Sequence, residues 1–408
     1  MRIVYLNPIG QLGGAESALL AVLANLRKKR PDWQLCLIVA SEGSFTFFAK
    51  KLDVTTEVLF FPEKLAALGE FEEGAPKNKV NKLLALTWKI CAISPSLFQY
   101  IKKLKKKIEA VHPDLVYSNG FKMHLLGLFA RPHNTPVIWH VHDFVSNRPI
   151  MSWLFRHYAK GCAAIIANSQ SVARDIQQLL RDQRKVHTVY NTVDLTRFSP
   201  EGATLNINSL AGLPPAKPKT IKVGFIGTFA RWKGQEVFLK ALSIIPQDLP
   251  LRGYVIGGPI YETENSQYAL NELKDLAKQF GIPEKVGFTG FLEDSASAIR
   301  SLDIVVHAST RPEPFGLVII EAMACGKPVI ASKAGGPEEI IVDGENGLFH
   351  TPGDAKSLAD GIMRLAENPE LRKKLGENGR KTVEEKFNSA HLAERILPIY
   401  EEVLASKS

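Results

Sequence analysis

Two glutamates eight positions apart carry the chemistry most plainly written in this chain. Glu313 and Glu321 stand in the run ASTRPEPFGLVIIEAMACGKPVIASKAGGPEEIIVDGENGLF. Pro314 and Gly316 make a turn, and LVIIEAMA reads as a helix that starts at Leu317. The N–H groups of such a first turn form a ready site for an anion. Eight residues of helix span about 12 Å, so the two carboxylates can meet the two ends of an elongated ligand. Carboxylates here would accept hydrogen bonds from sugar or ribose hydroxyls, and the helix N-terminus between them would hold phosphate.

Other candidates lie at strand ends. His142, followed by Asp143, closes the strand PVIWHVHD, and the carboxyl ends of strands are where open parallel sheets bind ligands. His140 falls on the same side two residues earlier and is the second candidate; the other eight histidines read as structural. Gly13 and Gly14 of GGAES sit between a strand and a helix, where glycine lets backbone approach a diphosphate or sugar closely. Glu16 in the same motif receives no role. Asn168 and Ser169 follow the strand CAAIIA, another strand end where a ligand could be lined. Gly257 and Gly258 end the strand LRGYVI and could border a base or diphosphate. Glu338 and Glu339 open a further helix, whose N-terminus they favour by charge.

The elements that must position these residues alternate. RIVYLN, WQLCLIVA, EVLFF, DLVYSN, PVIWHVHD, CAAIIANS and VHTVYN read as strands with helical segments between them, the pattern of parallel βαβ units. A stretch holding Pro200, Pro214, Pro215 and Pro218 interrupts the alternation and reads as a linker. The pattern restarts with IKVGFIGTF, LRGYVIGG, VGFTGF, DIVVHAS, PVIAS and GLFH. The expectation is therefore an α/β chain with a Rossmann-like domain over 1–200, a linker over 201–219 and a second Rossmann-like domain over 220–385. The last helix, 386–408, is expected to return to the first domain.

At 408 residues the chain has room for two to three domains of about 150 residues. Hydrophobic residues make up 45% and charged residues 23%, which excludes disorder as the main state. The four cysteines, Cys36, Cys91, Cys162 and Cys325, have no metal-ligand spacing and read as buried thiols. A net charge of +9 speaks to anionic partners. Its densest run is IKKLKKKIEA, with apolar residues at Ile101, Leu104, Ile108 and Val111 and a lysine face from Lys102 to Lys107. That face is read as solvated, or as docked on an anionic membrane surface. No nucleic-acid module is found, so no nucleic-acid partner is expected. Met1 leads straight into a strand without a leader-like segment, and no apolar run reaches the ~18 residues of a membrane span. The expected place is the cytoplasm, at most peripheral on the inner face of the membrane. A GxGxxG after a strand, a GxxxxGK[ST], an HExxH, a Gly-x-Ser-x-Gly elbow and an Asp-x-Asp are all missing, which disfavours dinucleotide oxidoreductases, P-loop NTPases and zinc proteases.

The Glu-x7-Glu segment resembles the signature of retaining GT-B glycosyltransferases, and of glycosyltransferase family 4 (the group 1 glycosyltransferases) in particular. GGAES, the HD after its strand, VYNTVDLTRF, GTFARWKGQE, VGFTGF and GGPEE occur in the family's order, so the resemblance covers nearly the whole chain. It implies a GT-B fold, two Rossmann-like domains facing across a cleft, with the acceptor mainly on the first, where Asn168 and Ser169 could line its side, and the nucleotide sugar mainly on the second. By resemblance, Glu313 contacts the donor sugar, Glu321 grips the ribose, and Phe315, Gly316 and Leu317 present backbone N–H groups to the donor. Lys233 neutralises the diphosphate, and His142 lies near the reacting sugar. No metal or other cofactor is implied, and fixed positive groups would stabilise the departing diphosphate. One departure stands out: Gly227-Thr228-Phe229 replaces the family's Gly-Arg-Leu, so a diphosphate-binding arginine is missing and Arg231 is the candidate substitute beside Thr228. The implied activity is transfer of a hexosyl group, with UDP-glucose or a similar UDP-sugar favoured over GDP-mannose, to a glycan or lipid-linked acceptor in polysaccharide or cell-envelope assembly. The apolar stretch Leu83–Trp88 would suit such an acceptor. The rival readings are a nucleotide-sugar enzyme of the same fold without a glycan acceptor, and a binding protein that kept the fold.

Overall fold

In the computed structural model, residues 1–62, 79–181, 185–259 and 266–406 are described, with the side chains of 79–94 excepted. Cys91 and the stretch Leu83–Trp88 therefore fall outside the described side chains. Contacts divide the chain into two units, Met1–Tyr190 with Ala390–Ser408, and Asn191–Ser389.

The first unit is built on seven parallel strands: β1 (Arg2–Asn7), β2 (Gln34–Val39), β3 (Thr55–Val58), β4 (Leu115–Asn119), β5 (Val137–Val141), β6 (Ala164–Ala167) and β7 (Val186–Thr188). Their order is β3-β2-β1-β4-β5-β6-β7, the doubly wound arrangement that alternating strands and helices imply. The strands read as unbroken apolar runs because both sheet faces are covered. Along β1, Ile3 and Tyr5 pack with Leu19, Val22 and Leu23 of the helix Gly14–Lys29, while Val4 and Leu6 turn to the opposite core with Leu104 and Ile108. The closing helix, Leu392–Ala405, buries Ile396, Ile399, Tyr400 and Val403 in the first of these cores. Its Tyr400 hydroxyl lies 3.4 Å from that of Tyr5.

The basic run sits in the helix Lys79–Val111. Leu104 and Ile108 are buried, and Lys102, Lys103, Lys105 and Lys106 are exposed. Lys107 departs from this face, being half-exposed and paired at 2.5 Å with Glu57 on β3. No described helix is long and apolar enough to cross a membrane.

The second unit carries six parallel strands: β8 (Ile221–Ile226), β9 (Leu251–Ile256), β10 (Val286–Gly290), β11 (Ile304–His307), β12 (Val329–Ser332) and β13 (Leu348–His350). Their order is β10-β9-β8-β11-β12-β13. The stretch expected as a linker over 201–219 is grouped with this unit, which begins at Asn191, and is mostly exposed. A short helix, Ile207–Leu210, buries Ile207. Asn208 Oδ1 accepts hydrogen bonds from Arg252 and from the Tyr254 hydroxyl, each at 2.6 Å. Proline content signalled a connection; Ile207 and Asn208 are among the residues that anchor part of it to the unit.

Candidate active site

In the first unit, the polar ends of four neighbouring strands meet in one row. Asn7 ends β1, Asn119 ends β4, His142 follows β5 and Asn168 follows β6, the order in which these strands are paired. Asn119 Nδ2 donates to Asn7 Oδ1 at 2.7 Å, and Asn7 Nδ2 donates to Glu16 Oε1 at 3.1 Å. That fixes Asn119 Oδ1 as an acceptor. His142 Nε2, 2.6 Å away, therefore carries the proton and donates. Behind it, His140 packs ring to ring at 3.9 Å between centroids and holds the Tyr117 hydroxyl at 2.6 Å through Nδ1. Burial pushes the His142 imidazole down to about 3. Burial, reinforced by His142 and His124, holds His140 well below its ordinary value. Both rings are neutral at pH 7, so His142 serves as an oriented neutral group rather than a cation. Burial raises the Glu16 carboxyl even though Asn7 donates to it.

Gly13 caps the helix Gly14–Lys29 with no side-chain hydrogen bond, which leaves that N-terminus to backbone groups alone. Asn168 Nδ2 reaches the His142 carbonyl at 3.4 Å, and its Oδ1 has no partner among the described residues. Ser169 is committed to its own helix, where its hydroxyl accepts from Val172 N at 3.1 Å. Asn7 and Asn119 received no role from the sequence. Their signal was there, a buried-type strand closing on a lone asparagine in YLN and YSN, but one asparagine is an ordinary strand terminator.

In the second unit the expected donor residues assemble around Glu313. Lys233 Nζ lies 2.8 Å from each Glu313 oxygen and 4.2 Å from the centre of the Trp232 ring. Two further side chains reach the same carboxylate: Ser309 Oγ at 2.8 Å and His307 Nε2 at 3.2 Å, both to Oε2. Burial alone would raise the Glu313 carboxyl, but the Lys233 charge and the His307 contact outweigh it and hold it well below the carboxylate range. Sequence reading set His307 among the structural histidines and passed over Ser309.

Glycine makes this convergence possible. Gly234 has φ +87°, and a Cβ there would stand 2.0 Å from the Ala308 carbonyl oxygen, so the Lys233 turn can lie directly against the end of β11. Thr310 N donates to the Trp232 carbonyl at 2.8 Å across the same junction. Gly335, at φ +78°, lies so close to Glu313 that a Cβ would come within 2.4 Å of its carbonyl oxygen. Gly336 N donates to that same oxygen at 2.7 Å. The GGPEE motif thus seats the Glu313 loop.

Phe315 is buried against Phe387, so its backbone is the part it can offer a ligand. Gly316, at φ +101°, opens the helix Leu317–Ala324 without a side-chain cap; Ile319 N donates to the Gly316 carbonyl at 3.0 Å, which leaves the Leu317 and Val318 N–H groups as orphan donors. Glu321, on that helix, has no hydrogen bond or ion pair to a described residue. Burial pushes its carboxyl up to about 7, with only partial relief from Arg197. Arg231 is engaged elsewhere: its guanidinium bonds Glu272 at 2.8 Å and stacks 4.2 Å from the centre of the Tyr268 ring. The Thr228 carbonyl accepts from the buried Gln235 amide at 2.7 Å. Among the described residues, no group of three or more His, Cys, Asp or Glu side chains is arranged to hold a metal.

An uncapped helix N-terminus, a lysine and two carboxylates, Glu313 in the loop after β11 and Glu321 on the helix Leu317–Ala324, make a candidate site for a phosphorylated, hydroxyl-rich ligand. Comparison with known proteins agrees with that class. Residues 214–382 match the sequence family of glycosyl transferases group 1, and residues 66–197 match Glycosyltransferase Family 4. N-acetyl-alpha-D-glucosaminyl L-malate synthase of Bacillus anthracis is 27% identical over 257 residues, 63% of this chain and 64% of that protein. An uncharacterized glycosyltransferase of Methanocaldococcus jannaschii is 29% identical over 339 residues, 82% of this chain and 88% of the relative. The match thus spans less than two thirds of the Bacillus protein's length. In fold, the chain resembles Anabaena HepE, solved in complex with UDP and glucose, with a TM-score of 0.77, 23% identity, and coverage of 98% of this chain and 99% of the other. The fold is GT-B, and the chain belongs to the group 1 glycosyltransferases of family 4.

The raised Glu321 carboxyl has a consequence for stability. A carboxyl whose folded value of about 7 exceeds its unfolded value favours folding below the unfolded value, and that contribution is lost as pH rises through 7. Glu321→Gln should therefore match the parent near pH 4.5 and be more stable at pH 8, by roughly 1–3 kcal/mol at ~1.4 kcal/mol per pKa unit. Urea denaturation at both pH values measures the difference; equal stability of the two proteins at pH 8 would contradict it.

Proposed function

We propose that the protein is a retaining, metal-independent glycosyltransferase that moves a hexosyl group from a nucleotide sugar to a hydroxyl of a glycan or lipid-linked acceptor. The observation that carries this reading is the Lys233–Glu313 pair beside the uncapped N-terminus of Leu317–Ala324. The diphosphate of a nucleotide sugar takes the Lys233 ammonium and the helix N–H groups of Gly316 and Leu317, which meet the negative charge that grows on it as the glycosidic bond breaks. Glu313 accepts hydrogen bonds from the sugar hydroxyls. Glu321, which no described residue engages, accepts the ribose hydroxyls in its ionised form. Within the first unit, His142, neutral and oriented by Asn119, is the polar group we assign to a sugar hydroxyl.

In this reaction the bond from the anomeric carbon to the diphosphate oxygen breaks while the acceptor oxygen bonds the same face of that carbon. The acceptor's proton passes to the departing diphosphate. Positive charge on Lys233 and the helix dipole serve the departing group, so the scheme requires neither a divalent metal nor a covalent nucleophile. UDP-glucose or a close UDP-sugar is the donor we favour, and polysaccharide or cell-envelope glycan assembly the process. The exposed lysines Lys102, Lys103, Lys105 and Lys106 suit a peripheral contact with an anionic cytoplasmic leaflet, at about 1 kcal/mol per lysine.

Glu313→Gln and Lys233→Ala should each lower turnover by about 10² or more, the scale of losing a main electrostatic contact. Nucleotide release from UDP-glucose in EDTA measures this, and proton NMR of the fresh product should show the donor's anomeric configuration retained. Unchanged rates in both variants, or an inverted product, would overturn the reading. In flotation assays with anionic liposomes, the protein should bind at low salt and dissociate at high salt; failure to bind at low salt would remove the membrane contact.

A further inference from the structure

Lys233 has one ammonium group and, on the function proposed above, two anions to serve. It contacts both oxygens of Glu313, and the same charge is needed by the diphosphate. A buried carboxylate that loses its cation must find other donors or take up a proton. The structure supplies those donors on one side only. Oε2 of Glu313 accepts from Ser309 Oγ at 2.8 Å and lies 3.2 Å from His307 Nε2, whereas Oε1 has Lys233 alone among the described residues.

We infer that His307 and Ser309 are positioning residues that keep Glu313 ionised, with Oε1 directed at the sugar, when Lys233 turns to the diphosphate. This inference rests on the reading above for the ligand, but the geometry behind it does not. Ser309 has one proton, which goes to Glu313, so its lone pair faces His307 Nε2 at 3.1 Å. With a carboxylate oxygen and a hydroxyl lone pair both before it, Nε2 carries the proton and donates to both. Nδ1 is buried without a partner among the described residues. The ring's hydrogen bonding to side chains is thus concentrated on the nitrogen that faces Glu313 and Ser309. The charged and titratable groups around it are Glu313, Lys233 and His350, whose Nε2 bonds the His307 carbonyl at 3.1 Å.

Serine and glutamate meet the same imidazole nitrogen. A Ser-His-Glu hydrolytic relay needs them on opposite nitrogens, so the cluster is built to hold a carboxylate and not to activate the serine. His307 ends β11, and Ser309 follows two residues later. Both are almost fully buried, which fixes the two donors before any ligand arrives.

The test separates these donors from Lys233. Protein carrying glutamate labelled at the carboxyl carbon is titrated by carbon-13 NMR, with the Glu313 signal assigned by Glu313→Gln. In Lys233→Ala, Glu313 should stay ionised at pH 7. Adding His307→Met should raise its titration midpoint by about one unit or more, roughly a tenfold gain in proton affinity. Adding His307→Gln, whose amide nitrogen can stand where Nε2 stood, should leave it low. Ser309→Ala gives the second measurement if the methionine variant fails to fold, and should raise the midpoint in the same direction. With Lys233 intact, His307→Met should lower kcat about 10- to 100-fold, the scale of losing a hydrogen bond to a charged group, with KM for UDP-glucose little changed and most of the rate restored in His307→Gln. Equal titration of Lys233→Ala with and without His307→Met would overturn the inference, as would a glutamine variant no better than methionine. A wild-type protein inactive on every nucleotide sugar, yet with the expected titrations, would overturn the transferase reading and leave the positioning of Glu313 standing.

Discussion

A carboxylate buried at a strand end imposes the strictest demand in the second unit. Glu313 is almost wholly removed from water, and an isolated charge there would not survive. Lys233 answers it from 80 residues away. Bringing the two together requires the turn after β8 to lie against the end of β11, which Gly234 permits, and the Glu313 loop to lie against Gly335 and Gly336. Three loops from three strands are thereby locked to one another, and the N-terminus of Leu317–Ala324 is placed just beyond them. Fold and site share one device: close backbone packing that sets a buried ion pair next to orphan N–H groups.

The first unit solves a similar problem without a cation. Its strand ends carry amides and imidazoles in hydrogen-bonded series, from His142 through Asn119 and Asn7 to Glu16. Each amide spends its donor on the next residue and so fixes its own acceptor, which sets the proton on His142. Directionality here comes from hydrogen-bond bookkeeping, whereas in the second unit it comes from charge. A neutral, oriented histidine suits recognition of sugar hydroxyls, and a lysine beside a helix N-terminus suits a diphosphate.

Much of this was legible in the chain. Unbroken apolar strands alternating with helices gave two doubly wound sheets, because burial on both faces leaves that mark. Glu313 stood out beside a Pro-Gly turn and His142 at a strand end, whereas Lys233 was marked by the family resemblance alone. The supporting groups were hidden for the opposite reason. His307 and Ser309 lie in DIVVHAS, where a histidine closing a strand looks like any other, and their partner is known only once the chain folds. Asn7 and Asn119 are 112 positions apart in sequence, and no local pattern pairs them. Prolines mark irregular backbone whether or not it is packed: most of 201–219 is exposed, while Ile207 and Asn208 hold part of it to the sheet. Arg231 looked available for a diphosphate from its place on the loop, while in the fold its guanidinium is held by Glu272 and Tyr268.

On the function proposed, the Lys233–Glu313 site of the second unit receives the diphosphate of a nucleotide sugar without the help of a metal. Calorimetric titration of UDP, GDP and ADP into the protein in EDTA tests it most directly, repeated with Lys233→Ala. One nucleotide, UDP first, should bind saturably, and loss of Lys233 should weaken it at least about tenfold, as expected for a hydrogen-bonded contact to a charged group. Binding that appears only when a divalent cation is restored, or that is indifferent to Lys233, would contradict it.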